Sequence, residues 1–305
     1  MYRLGLCCLF KEQNIKFKTT TATYCLKLNH NNCLSKLNKL CLNNSVSLLS
    51  AVKFCAKNNI GAFRVLSQMF PLFTHPQVGY ELSDLESSNE IISNFTEVKN
   101  FAINHNIRLS FHPDQFVVLS SAKEGVVLSS LKELEYHAII ANLIGADMIN
   151  IHAGGVYGDK ESALERFAIN FKRLKKSTQN LITVENDDKS YTPEDLLPLC
   201  KGLGIPLCYD VHHHRCNSDN FSIQQATDKC CELAKSLGKL PHFHISSPLE
   251  PWSKKDGLHR NHNDYIDIND FPRYWLEIKT DYTVDIEAKA KELAVKKLYN
   301  QLINL

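Results

Sequence analysis

Short apolar runs alternate with longer amphipathic stretches along most of this chain. The runs are rich in β-branched, aromatic and aliphatic residues and are bounded by turn-forming residues. This pattern is typical of strands buried in a parallel sheet. We therefore predict strands at residues 2–6, 60–65, 107–111, 147–151, 181–184, 205–209, 241–245 and 282–286.

Helical periodicity fills most of the intervals between these strands. Ser45 is placed to cap a helix over 45–58, and Thr192-Pro193-Glu194 is typical of a capped helix start with proline in the first turn. Residues 19–44 show no clear period, so we predict a long loop with a short helix there. Further helices are predicted at 88–105, 128–144, 159–179, 223–237 and 288–302, and residues 265–278 are predicted to be helical or irregular.

About eight strand–helix units favour a closed (β/α)8 TIM barrel. The chain has 305 residues and 44% hydrophobic content, enough for one large core, and we expect residues 1–305 to form a single domain. An open doubly wound sheet is the alternative. That fold needs a glycine-rich phosphate loop after its first strand, and Leu6-Cys7-Cys8-Leu9-Phe10 is not one.

Histidine or a carboxylate residue stands at the end of six of the predicted strands. The first five of these residues follow one another at steps of between 25 and 40 residues, about one strand–helix unit each. Because the carboxyl ends of barrel strands converge on one rim, we expect these side chains to meet and form a multinuclear metal site. They are His112, His152, Glu185, Asp210, His244 and Glu287.

The segment Asp210-Val211-His212-His213-His214 is the sharpest local cluster. His213 follows Asp210 by three residues, and carboxylate with imidazole suits Mn²⁺, Zn²⁺ or Fe²⁺ better than Ca²⁺. The alternative is a solvent-facing histidine run. We further expect Asn186 to orient Glu185, and His262 is a candidate ligand although it lies outside any predicted strand.

Composition limits the other classes of function. The net charge is only +2, so a DNA-binding surface would have to be a local patch. The eleven cysteines include no Cys-x-x-Cys pair, no signal peptide opens the chain, and no apolar run reaches the roughly 18 residues that span a bilayer. We therefore expect unreactive thiols and an intracellular protein with no membrane contact. No Walker loop, Gly-x-Ser-x-Gly or HExxH motif is present.

Taken together, the motifs resemble the UV-damage endonuclease (UvdE) family, which is related to the endonuclease IV barrels. The resemblance covers nearly the whole chain. It is carried by Arg3-Leu4-Gly5, Phe63-Arg64-Val65, Met69-Phe70-Pro71-Leu72, Thr74-His75-Pro76, His112-Pro113-Asp114-Gln115-Phe116, Glu185-Asn186-Asp187-Asp188, Asp210 to His214, His262 to Ile266 and Glu287-Ala288-Lys289-Ala290-Lys291-Glu292.

The resemblance implies an enzyme that nicks double-stranded DNA immediately 5′ to UV photoproducts, namely pyrimidine dimers and 6-4 photoproducts, and that acts as a monomer. It also implies up to three Mn²⁺ ions, with Zn²⁺, Co²⁺ or Mg²⁺ as substitutes. Glu185, Asp210, His244 and Glu287 would be the catalytic residues, and His75 would line the cleft. The implied ligands are His112, His152, Glu185, Asp210, His213, His244, His262 and Glu287.

Three positions depart from the family pattern. The family often carries a lysine, carboxylated in the family, two residues before the ligand that matches His244, and here that residue is His242. The lesion-probing loop has Gln115-Phe116 where a Gln-Tyr pair is common, and phenylalanine keeps a face for stacking. Leu6 and Phe10 replace a tyrosine and an asparagine that follow the first strand.

Candidate phosphate contacts are basic residues near the rim, namely Arg64, Lys254, Lys255 and Arg260. Two other functions remain open at this point. A metal-dependent sugar isomerase or epimerase uses similar residues on the same barrel. A damaged-DNA-binding protein with impaired catalysis is the second, and His242 is the feature that favours it.

Overall fold

The computed structural model describes residues 2–304 and contains a closed eight-stranded parallel barrel. Each strand pairs with its neighbours in chain order, and the first strand closes the barrel against the last. The strands are β1 (Tyr2–Cys7), β2 (Ala62–Val65), β3 (Arg108–Phe111), β4 (Met148–His152), β5 (Ile182–Glu185), β6 (Leu207–Asp210), β7 (His242–Ile245) and β8 (Tyr282–Ile286). The predicted TIM-barrel fold is confirmed.

Helices occupy the connections between successive strands, as the barrel requires. The α-helices are α1 (Ala22–Cys25), α2 (His30–Lys57), α3 (Ser88–Asn104), α4 (Glu124–Ile144), α5 (Lys160–Phe171), α6 (Lys176–Gln179), α7 (Pro193–Leu203), α8 (Val211–Cys216), α9 (Ile223–Ser236) and α10 (Glu292–Leu302). Short 3₁₀ turns lie at Leu82–Asp84, Ile268–Asp270 and Arg273–Glu277. Among residues 2–304, no helix combines the length and the apolar character needed to cross a membrane.

The strands bury both faces, and the two faces differ in chemistry. One face packs in the hydrophobic core, with residues such as Phe63, Ile149 and Val184. The alternate positions face the inside of the barrel, because side chains alternate along a strand. Many of these inner positions are polar yet fully buried, including Asn150 and Thr183. The barrel interior is therefore a polar layer beneath the carboxyl rim.

The helix predicted at 45–58 is present, but it begins much earlier than predicted. Helix α2 begins at His30, capped by the Asn29 side chain, and Ser45 lies buried in its middle. The predicted loop at 19–44 is wrong from His30 onward for the same reason, whereas residues 19–29 do form a loop with the short helix α1. The asparagines beyond His30 disfavour a helix locally, but Asn38 and Asn44 turn inward and hydrogen-bond to other segments.

Smaller differences concern helix ends. The predicted helix 159–179 is broken into α5 and α6, and the closing helix starts at Glu292 rather than at residue 288. The capped start at Thr192 is confirmed, with a reciprocal capping box to Asp195. Helix α8, directly after β6, was not predicted.

Candidate metal centre

Glu185 lies at the centre of the carboxyl rim, at the end of β5. Its Oε2 is 3.1 Å from Nε2 of His112, and its Oε1 is 3.1 Å from Nδ1 of His244 and 3.3 Å from Nδ1 of His213. The strand register explains the convergence, since His152 of β4 pairs directly with Glu185. Side chains from β4 and β7, from the residue that follows β3 and from helix α8 thus meet around one carboxylate of β5.

Two further carboxylates, those of Asp210 and Glu287, complete the cluster. Asp210 of β6 pairs in register with His244 of β7, and Nδ1 of His244 is 3.3 Å from Oε1 of Glu287. Ligand-type atoms of Asp210, His244 and Glu287 all lie within 4.8 Å of one another, as do those of His112, His152 and Glu185. The predicted ligands from the strand ends therefore share one site.

Two backbone carbonyls set the tautomers of two histidines. Nδ1 of His112 lies 3.1 Å from the carbonyl oxygen of Pro113, and Nδ1 of His213 lies 2.9 Å from that of Asn186. A carbonyl only accepts, so each Nδ1 carries a proton, and in the neutral form of either ring the lone pair is on Nε2. Metal-bound histidines usually hold their second nitrogen in this way.

Helix α8 explains how His213 reaches the site. Asp210 is its N-cap, and the Asp210 carboxylate accepts a 2.7 Å hydrogen bond from the backbone N–H of His213. Asn186 joins β5 to β6 by accepting from the Asp210 amide and donating to the Asp210 carbonyl, each at 2.9 Å. The amide side chain that donates to the Glu185 carboxylate is that of Asn150 on β4, not that of Asn186 as predicted. Sequence analysis missed Asn150, although it stands two residues before His152 on the same strand face.

The donor set fits divalent cations. Several buried ligand-type atoms have no hydrogen-bond partner among residues 2–304: Oε1 of Glu185, Oδ2 of Asp210, Nδ1 of His152 and Nδ1 of His244. Buried polar atoms are normally satisfied, and carboxylate oxygens with imidazole nitrogens form the usual ligand set for Mn²⁺ or Zn²⁺.

Ionisation in the cluster is strongly coupled. Burial alone raises the pKa of Glu185, but the neighbouring imidazoles of His244, His152, His112 and His213 hold it well below its usual value. Burial lowers the pKa of His152 to about 4, so this imidazole is neutral near pH 7.

The pKa values of two other imidazoles, those of His213 and His244, are raised instead. Burial lowers the pKa of His213, yet Asp210 and Glu185 raise it well above its usual value. The pKa of His244 is also raised well above its usual value, against the effect of burial, by Cys208 and Glu185. Cation binding to these nitrogens must therefore displace protons.

Arg64 and His262 flank Glu287. Arg64 is largely buried and donates to the Glu287 carboxylate, so its guanidinium is engaged inside the site rather than exposed at the rim. Nδ1 of His262 lies 3.8 Å from Oε2 of Glu287 and 28% of its side chain is exposed, which places it at the mouth of the cluster.

The other predicted DNA contacts lie outside the cluster. Gln115 and Phe116 are exposed in the loop after β3, and Phe116 is 75% exposed. His75 accepts backbone N–H bonds from Gln77 and Val78 in a turn. The basic candidates are exposed: Lys254 pairs with Glu250, Arg260 lies 3.3 Å from Asp188, and Lys255 is free of any ion pair identified within residues 2–304.

One carboxylate of the interior escaped the sequence analysis. Asp285 of β8 is fully buried, with Oδ2 lying 3.3 Å from Nε2 of His242 and 3.7 Å from Nε2 of His244. Burial raises its pKa, but His242 outweighs that effect and holds it below its usual value. Its position two residues before Glu287, on the same strand face, is the signal that could have revealed it.

The chain is similar in sequence and in fold to known proteins. The sequence profile of the family described as UV-endonuclease UvdE matches residues 2–305. A UV DNA damage endonuclease of Bacillus velezensis is 32% identical over 295 residues, which cover 93% of this chain and 88% of the relative. The crystal structure of SacUVDE is 27% identical with a TM-score of 0.85, covering 100% of this chain and 99% of that one.

Endonuclease IV from Thermus thermophilus shares the barrel fold, with 13% identity and a TM-score of 0.61 over 99% of this chain and 100% of that one. At that identity the likeness concerns the fold alone. The profile match, by contrast, spans the entire barrel and every strand end that supplies the rim cluster. Such an extent shows that the chain belongs to the UV-endonuclease UvdE family.

Proposed function

We propose that this chain is a metal-dependent endonuclease that nicks double-stranded DNA 5′ to UV photoproducts and so starts excision repair. Its substrates would be pyrimidine dimers and 6-4 photoproducts, and residues 1–305 would act as one monomeric domain. Family membership supports a DNA-damage endonuclease. The observation that carries the metal dependence is the convergence of three imidazoles within 3.3 Å of the buried Glu185 carboxylate.

Eight side chains would hold the cations: His112, His152, Glu185, Asp210, His213, His244, His262 and Glu287. Up to three Mn²⁺ ions would suit this set, with Zn²⁺, Co²⁺ or Mg²⁺ as alternatives. When bound, such ions lower the pKa of water and stabilise charge on a departing 3′-oxygen.

The protein supplies orientation and electrostatics for this chemistry. Glu185, Asp210, His244 and Glu287 are the proposed catalytic residues, because Glu185, Asp210 and His244 are fully buried and Glu287 lies 3.3 Å from His244. The carbonyls of Pro113 and Asn186 keep His112 and His213 in one tautomer. Arg64 compensates part of the negative charge through Glu287. These groups are therefore set before substrate arrives, which is how a rigid site lowers a barrier.

Damage recognition is assigned to the exposed loop after β3. Photoproducts weaken base stacking, so a protein that bends DNA and inserts a side chain spends less energy at a damaged step. Phe116 offers an exposed aromatic face for this, and Gln115 beside it can hydrogen-bond to bases. Lys254, Lys255 and Arg260 are exposed and free to meet phosphates at the cost of weak surface ion pairs.

The test is nicking of UV-irradiated supercoiled plasmid with Mn²⁺, compared with unirradiated plasmid. Glu185→Gln should lower nicking of irradiated DNA by more than about 100-fold, since even residues that only orient metal ligands contribute about 10- to 100-fold. Glu135→Gln is the matched control. Glu135 is a partly buried carboxylate that accepts bonds from Lys175 and Thr178 on the outside of the barrel, and its variant should nick normally.

Three results would contradict the proposal. Undiminished nicking by Glu185→Gln would remove the assigned role of that residue. Metal-dependent conversion of a ketose with no action on irradiated plasmid would indicate a sugar isomerase or epimerase instead. Tight binding of irradiated DNA without any nicking would indicate an impaired damage-binding protein, the outcome that His242 in place of the family lysine would explain.

A further inference from the structure

Asp285 lies one layer below the metal centre, inside the barrel. The Asp285 carboxylate is fully buried and makes no hydrogen bond of ordinary geometry among residues 2–304. Its nearest polar neighbours are the Nε2 atoms of His242 and His244, at 3.3 Å and 3.7 Å from Oδ2. A buried carboxylate between two imidazoles is too costly to be incidental.

The fold makes room for this carboxylate. Gly5 of β1 pairs in register with Asp285, and a Cβ at Gly5 would overlap Oδ1 of Asp285. No other residue type fits at position 5 unless the carboxylate moves. Three strands, β1, β7 and β8, therefore form the walls of its pocket.

Arg108 determines which nitrogen of His242 carries the proton. Its Nη1 lies 3.2 Å from Nδ1 of His242, while its Nε donates to both oxygens of Asp147. A guanidinium only donates, so Nδ1 of His242 must be the acceptor and the proton sits on Nε2. Nε2 therefore presents an N–H to Asp285, not a lone pair for a cation.

The two ring nitrogens of His244 face different carboxylates. Its Nδ1 points at the oxygens of Glu185 and Glu287, on the side of the predicted cations. For Nδ1 to bind a cation, the His244 proton must reside on Nε2. Oδ2 of Asp285 is the carboxylate oxygen near that nitrogen, and the neighbouring Cys208 thiol is only a weak acceptor.

We propose that Asp285 is a positioning residue of the metal centre. Its buried charge, 3.7 Å from Nε2 of His244, favours the proton on that nitrogen and so leaves Nδ1 free for the cation, while the N–H of His242 faces the same carboxylate oxygen. The inference rests on the metal centre proposed above. It places the Asp285–His242 pair behind the ligand shell, in the manner of carboxylates that orient metal-bound histidines. The pair places a buried negative charge on β8. This charge lies beside His242 of β7, the position at which the family often carries a lysine.

The experiment is a Mn²⁺ titration of the purified full chain without DNA, in which free Mn²⁺ is followed by electron paramagnetic resonance. Asp285→Asn keeps the shape and removes the charge. It should bind the same number of ions per chain as the unchanged protein, with an affinity roughly 10- to 100-fold weaker. Nicking at saturating Mn²⁺ should recover, because the ligands themselves are intact.

Two further variants separate orientation from folding. His242→Gln keeps a donor for Asp285 and an acceptor for Arg108, so its Mn²⁺ affinity should stay close to that of the unchanged protein. Glu292→Gln neutralises another fully buried carboxylate, one that accepts the backbone N–H groups of Lys11 and Glu12. It should lower resistance to urea without weakening Mn²⁺ binding.

The proposal is overturned if Asp285→Asn binds Mn²⁺ as tightly as the unchanged protein. Loss of one ion per chain in Asp285→Asn or in His242→Gln would also overturn it, since the residue would then be a ligand. A different result would contradict the proposed function. If irradiated plasmid is not nicked while Asp285→Asn still weakens Mn²⁺ binding, the positioning role stands and the photoproduct activity does not.

Discussion

The proton positions on individual histidines decide what this site can bind. Nδ1 of His112 and Nδ1 of His213 each donate to a backbone carbonyl, whereas Nδ1 of His244 has no hydrogen-bond partner among residues 2–304 and faces Glu185 and Glu287. The same residue type therefore offers Nε2 in two cases and Nδ1 in another. Spacing along the chain cannot distinguish these states, because each depends on a neighbour brought by the fold.

Phe116 gives a prediction at this scale. Phe116→Ala should weaken preference for irradiated over intact DNA by about 5- to 150-fold, the equivalent of the roughly 1–3 kcal/mol that one base–aromatic stack contributes. The measurement is the ratio of nicking rates on irradiated and unirradiated plasmid at one salt concentration.

Stability should not change in that variant, since Phe116 is 75% exposed. Ile103→Ala is the control, because Ile103 is an apolar residue 66% exposed near the C-terminal end of α3, which leads into the start of β3 at the end of the barrel opposite the carboxyl rim. An equal fall in the ratio for both variants, or none for Phe116→Ala, would contradict the proposed probing role.

At the scale of elements, helix α2 shows how tertiary partners override local preference. Asparagine has low helix propensity, and the segment contains several. Asn44 is nevertheless fully buried in the middle of the helix. Its amide donates to the carbonyls of Lys18 and Met69 and accepts from the Lys18 N–H, which ties the long β1–α2 connection to the barrel.

Asn44→Ala should therefore destabilise the protein by about 2–4 kcal/mol, because the N–H and carbonyl of Lys18 and the buried carbonyl of Met69 all lose this side-chain partner. Urea unfolding in the presence of a chelator measures this without a contribution from bound cations. Asn43→Ala, one residue earlier on a less buried face, is the matched control and should cost about 1 kcal/mol or less. Equal losses in the two variants would show that helix propensity, not the buried bonds, dominates.

At the scale of the whole molecule, the barrel concentrates buried charge at one end of its interior. The carboxylates of Glu185, Asp210, Asp285 and Glu287 are all largely or fully buried there, with Arg64 as the nearby guanidinium. Holding such charges together is costly without cations. The fold tolerates the cost because the hydrophobic core lies outside the barrel wall, between strands and helices.

Metal removal should therefore lower the stability of the entire barrel. Each site held at 100 times its dissociation constant contributes about 2.7 kcal/mol to the folded state. Urea midpoints with saturating Mn²⁺ should exceed those with chelator, and Glu185→Gln should lose most of the difference. Identical midpoints with Mn²⁺ and with chelator in the unchanged protein would contradict a resident metal centre.

The barrel itself was predictable because its signal is periodic and repeated. Eight short apolar runs, each followed by a helical interval, admit few topologies, and all eight strands lie within two residues of their predicted bounds. The rim residues were predictable for a related reason. In a parallel barrel every strand ends at the same rim, so position along a strand is also position in space.

The sequence does not reveal which side chains contact one another. Asn150 and Asp285 look like ordinary strand residues, and Arg64 was predicted to contact phosphate rather than Glu287; the closed barrel brings all three into the site. The sequence by itself determined the fold class, the rim and the kinds of ligand atom, since these follow from period and composition. Only the tertiary structure decided the tautomers, the buried ion pairs and the carboxylate beneath the cluster, because each depends on distances of about 3 Å between residues far apart in sequence.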